Sequence, residues 1–95
     1  MRKHNQVETG VAWYSQDQYS LLRALAADAD SLHPTYEEWR AAATKLIEDL
    51  RSKGVTAYKV DVDVHELAAW CKREGRPFDG AARATFVSKI QRDSA

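Results

Sequence analysis

The chain has 95 residues, fourteen basic and fourteen acidic, so its formal net charge is zero. That length makes one domain around one modest core, and the balanced charge supplies no global field to recruit nucleic acid or an anionic membrane. A lone cysteine excludes an internal disulfide and fits a reducing cytoplasm. No apolar run approaches the ~20 residues of a membrane span.

Residues 1–9 read as a polar, frayed start without the apolar segment of a signal peptide. Val11, Ala12, Trp13 and Tyr14 are β-prone, and their short length fits both a brief strand and an extended entry segment. Ser15 and Gln18 are spaced as a capping box, with Tyr14 and Tyr19 in the positions of a hydrophobic staple. The helix they open has an apolar face of Leu22, Leu25, Ala26 and Ala29, with Leu21 at its edge, and is expected to end near Asp28. Residues 28–34 form a loop, because Pro34 cannot continue a helix and pushes His33 toward extended geometry.

The strongest helix signal spans residues 35–54. Thr35 and Glu38 make a second capping box, and Gly54 stands where a left-handed residue ends a helix. Trp39, Ala43, Leu46, Ile47 and Leu50 form its apolar stripe, expected to face the core. Residues 55–62 alternate as a strand, with Tyr58, Val60 and Val62 on one face and Lys59 and Asp61 on the other. Asp63 and Glu66 form a third box, followed by the stripe Val64, Leu67, Ala68 and Cys71 with Trp70 on its rim. Gly75 stops this helix. Asp79 caps the last one, whose stripe is Ala82, Phe86 and Ile90 and whose end, residues 91–95, reads as frayed. The order predicts a single α+β domain over residues 1–95, four helices packed with one or two short strands. Two short strands are marginal alone. They need helices behind them, or a second copy of the chain joined across an open strand edge.

Arg83 falls beside Phe86, Val87 and Ile90, so its charge requires a partner. Asp28, Asp30, Asp61 and Asp63 are the candidates, with Asp61 and Asp63 favoured because they flank the strand end; the alternative is an anion-binding arginine. Trp13 and Trp70 are the aromatics least accounted for by the core, and tryptophan at a rim anchors interfaces. Arg73 and Arg76, with Lys72, Lys89, Arg92 and Arg83, make the C-terminal third basic, as a phosphate-contacting patch would be. The competing reading is the preference of basic residues for helix C-termini.

Asp61, Asp63, Glu66 and His65 suggest a metal set, but capping accounts for two of them and no second Cys or His stands at ligand spacing. Cys71 lies on an apolar stripe, where a thiol is inert. No nucleophile elbow or glycine-rich phosphate loop occurs. No catalytic, cofactor-binding or metal residue is therefore assigned.

The segments WYSQDQYSLL, TYEEW, YKVDVD, ELAAWC and GAAR, covering residues 13–86, resemble a group of small uncharacterised bacterial proteins. The resemblance carries no activity, cofactor or site residue. It implies a bacterial, cytoplasmic protein and is compatible with a mobile-element or phage-derived origin. The functional expectation is a small non-enzymatic module that binds another protein, with a nucleic-acid-associated regulator using the basic C-terminal third as the alternative.

Overall fold

A computed structural model describes residues 8–94. The elements are β1 (Glu8–Trp13), α1 (Gln16–Leu25), a 3₁₀ turn (Ala29–Ser31), α2 (Tyr36–Ser52), β2 (Thr56–Asp61), α3 (Val64–Glu74) and α4 (Gly80–Ser94). The β-prone run is a strand, and it starts earlier than its composition suggests: Glu8 and Thr9 belong to β1 rather than to a frayed start. The expected fraying of residues 91–94 is likewise replaced by helix. Residues 1–7 and 95, also expected to be frayed, lie outside the described residues.

The N-caps form where the sequence places them, but among the described residues no Glu or Gln side chain returns a bond to a cap's backbone N–H, so the capping boxes stay half-made. Thr35 Oγ1 accepts the Glu38 N–H, Asp63 Oδ1 accepts those of His65 and Glu66, and Asp79 Oδ1 accepts that of Ala82. Ser15 Oγ accepts the Gln18 N–H, but the Gln18 side chain does not close the box; its Oε1 accepts the Val64 N–H at 2.6 Å. A residue of α1 thus serves the first turn of α3. Gly54, at φ +83°, sits within paired bonds from Gly54 N to Arg51 O and Val55 N to Leu50 O, which define a Schellman end.

α1 stops at Leu25, short of Asp28. The Ala27 N–H donates to Phe78 O, and Asp28 turns its carboxylate to α4; these long-range bonds outweigh continuing the helix. Leu25 is left 45% exposed rather than on a buried face.

β1 and β2 pair in parallel, with Glu8 opposite Thr56 and Trp13 opposite Asp61. Glu8, Gly10 and Ala12 share a face with Tyr58 and Val60. α4 crosses this face, and Tyr58 Oη accepts a bond from Gln91 Nε2. Thr9, Val11 and Trp13 share the opposite face with Ala57, where α2 packs over β2 through buried Ala43 and Ile47. The main core joins Tyr14, Tyr19 and Leu22 to Val60, Val62, Val64, Leu67 and Phe86. Leu46, expected in the core, is 48% exposed. Ala43 and Ile47 take the sheet-facing positions, and Leu46, one position short of Ile47, is turned past the edge of β1.

Candidate functional site

The parallel register fixes which backbone groups β1 spends on β2. Val62 N–H donates to Trp13 O at 3.1 Å. Trp13 therefore turns its N–H and C=O toward β2, and by alternation so do Val11 and Thr9. Glu8, Gly10 and Ala12 turn theirs away. Among the described residues, no hydrogen bond reaches these outward groups.

The outward edge of β1 forms the floor of a groove of about 660 Å³. One wall is α2, through Trp39, Ala42, Ala43 and Leu46; the other is α4, through Arg83, Ala84, Val87, Ser88 and Gln91. Successive residues from Glu8 to Ala12 line it and none from β2 does, as expected of a cleft along a strand edge rather than over a sheet face. Its lining is mainly apolar. Glu8 stands at one end; Arg83, His33 and Tyr14 stand at the other.

Gly10 is required by the packing beneath the groove. A Cβ there would approach Val60 Cγ2 to 2.7 Å and Gln91 Cδ to 2.9 Å. The missing side chain lets α4 lie close against the strand.

Arg83 closes the end of the groove opposite Glu8. Its Nη1 and Nη2 donate to the two oxygens of Asp28 at 2.8 and 2.9 Å, in a bidentate fork with the Arg83 side chain only 14% exposed. Asp28 also accepts the Gly80 N–H and the Ser31 hydroxyl. The guanidinium holds the Asp28 carboxyl down at about 2, burial opposing it. The partner is therefore Asp28 and not the favoured Asp61 or Asp63. A carboxylate 55 positions away in sequence wins because the loop after α1 lies against the first turn of α4.

Beside this pair, Tyr14 is 3% exposed and its hydroxyl makes no hydrogen bond among the described residues. Burial raises its phenol to about 12, with the Arg83 charge opposing. Tyr19, its neighbour at 6.3 Å between ring centroids, does have an acceptor: its hydroxyl donates to His33 O at 2.6 Å.

The remaining candidates do not gather at this groove. Trp13 is half-buried on the α2 face of the sheet, 5.1 Å from Trp39 between centroids, with the Lys59 ammonium over its ring. Trp70, expected on a rim, is buried against Phe86, with Arg76 over its ring. Arg73 lines a separate shallow cleft with Lys89, where Glu66 and Asp93 offset the positive charge. Cys71 is buried, and burial pushes its thiol up. Among the described residues no cluster of His, Cys, Asp or Glu could hold a metal ion, and no helix is long and apolar enough to cross a membrane. Of the groove residues, sequence reasoning singled out only Arg83. An isolated glycine in a β-prone run marks close backbone approach and was the available signal for Gly10.

No family model matches the chain, and no curated protein or solved structure matches it.

Proposed function

We propose that this protein is a small non-enzymatic binding module that acts through protein–protein contacts, and that the groove along β1 is its contact surface. The observation that carries this reading is the row of uncommitted backbone groups on Glu8, Gly10 and Ala12 at the floor of an apolar cleft. An extended segment added there would satisfy those groups, while its alternate side chains met α2 and α4. Leu46 would lose its exposure at the same time.

The nucleic-acid alternative draws less support. Arg83 is spent on Asp28, Lys89 pairs with Asp93, and Arg76 lies on Trp70. Fewer free cations remain in the C-terminal third than its composition suggests. Affinity capture with paired variants tests the choice. Partner retention is expected to survive Arg73→Glu and to be lost with Leu46→Glu. The opposite sensitivity, together with a salt-dependent mobility shift of nucleic acid, would overturn the protein-contact reading.

A further inference from the structure

We infer that the β1 groove receives β1 of a second copy of this chain, running antiparallel, with a twofold axis at Gly10. This rests on the groove being a protein-binding surface, and it names the occupant.

The backbone makes the edge self-complementary. Its outward residues, Glu8, Gly10 and Ala12, are symmetric about Gly10. In an antiparallel pairing Gly10 faces Gly10 of the copy and Glu8 faces Ala12 of the copy. Each facing pair exchanges two bonds, about six in all. The result is a continuous four-stranded sheet, which also removes the marginality of a two-stranded one.

The side chains run the same way. The groove has Glu8 at one end and Tyr14, beside the Arg83–Asp28 pair, at the other. Antiparallel pairing seats Glu8 of each copy toward the Tyr14 end of the other. Directly opposite residues project to the same face, so that carboxylate lies beside Ala12, toward the end of the groove that Tyr14 lines. Tyr14 there is a buried donor without an acceptor among the described residues, an expense folded proteins avoid. A carboxylate from the second copy supplies that acceptor.

The helices allow the approach. Arg51 contacts Ala57, which is in register with Thr9. Leu46, five residues earlier, is about 7.5 Å back along α2, or about two strand residues, level with Val11 and close to the axis. Its exposed side chain therefore meets its own copy. On the other face the α4 wall presents the small residues Ala84 and Ser88, which permit close helix contact.

Light scattering on the full chain over a concentration series is expected to give a mass rising to twice that of one chain. Leu46→Glu should place like charges at the axis and hold the chain monomeric. Tyr14→Phe removes no bond within one chain; it should leave melting at low concentration unchanged, yet move the monomer–dimer midpoint about thirtyfold upward, because the twofold dimer loses the bond twice. Under mild oxidation Leu46→Cys should cross-link far faster than Leu25→Cys, an equally exposed position away from the axis. A wild-type chain that stays monomeric overturns the pairing. So does a dimer indifferent to Leu46→Glu and Tyr14→Phe, or equal cross-linking of the two cysteine variants. A synthetic peptide of residues 8–13 separates the two levels. If the chain is monomeric but the peptide perturbs the Gly10 and Ala12 amides, the second copy is overturned and the groove stands. If the peptide also fails to bind, the groove falls with it.

Discussion

The two outer edges of the same sheet are treated in opposite ways. On β2, Arg51 folds back from α2 and donates through Nε and Nη2 to the outward carbonyl of Ala57 at 3.1 and 2.9 Å. That strand also carries exposed Lys59 and Asp61. A capping side chain and interspersed charge are the usual means of blocking strand addition. β1 has no capping side chain among the described residues and its charge is confined to Glu8 at its start: Thr9, Gly10, Val11 and Ala12 are uncharged, and the outward backbone of Gly10 and Ala12 is unpaired among the described residues. A two-stranded sheet guarded on one side only is open to addition on the other. The asymmetry, rather than any single residue, marks β1 as the open edge.

The largest test sets the closed interior against the open rim. Leu67 is fully buried, and Leu67→Ala should cost about 2–5 kcal/mol in denaturant melts through lost burial and a residual cavity. Leu46→Ala at the rim should stay within about 0.5 kcal/mol at low concentration. Comparable losses at both sites would place Leu46 in the core and close the groove.

A smaller effect probes the floor. Gly10→Ala forces a methyl group to 2.7 Å from Val60 Cγ2 on β2 and 2.9 Å from Gln91 Cδ on α4, so the strands or α4 must shift. The expected loss is about 1–3 kcal/mol, the range for an overpacked site. A neutral result would mean that α4 does not press on the strand.

Next comes the Arg83–Asp28 pair. The Asp28 carboxyl is held at about 2 when folded, against an unfolded value of 3.8. A depressed carboxyl contributes stability that is complete above the unfolded value and disappears as pH falls toward the folded one. The loss should therefore fall between about pH 4 and pH 2, amounting to ~1–2 kcal/mol once the partial exposure of the pair is discounted. Asp28→Asn should remove this step from the acid titration of stability. An unchanged acid limb would mean that the Arg83 fork does not form in solution.

The smallest expected change concerns the guarded edge. Arg51→Ala removes two bonds to one carbonyl near the surface, a loss of about 1 kcal/mol. It should also create a second route to self-association. If the variant associates no more than wild type, Arg51 does not guard β2.

Much of this fold is legible in the sequence, because capping and periodicity are local. Ser15, Thr35, Asp63 and Asp79 all cap where their spacing places them, and Gly54 and Gly75 end helices with positive φ. Long-range geometry is what local pattern cannot carry. The diversion of Gln18 to Val64, the recruitment of Asp28 by Arg83 and the early end of α1 all depend on which elements meet. Leu46 shows why the site stayed hidden. Its helical position fits the apolar stripe, and only the location of α2 over β2, leaving β1 uncovered on that side, turns it outward. An open strand edge has no residue signature, since it consists of backbone groups that every residue possesses.

Amide hydrogen exchange along β1 in dilute solution tests the open edge most directly. The N–H groups of Val11 and Trp13 face β2 and should exchange slowly, while those of Gly10 and Ala12 face the groove and should exchange quickly. Raising the concentration should then protect Gly10 and Ala12 selectively. Equal and strong protection of all four amides in dilute solution would contradict the account, because the edge of β1 would already be closed within one chain.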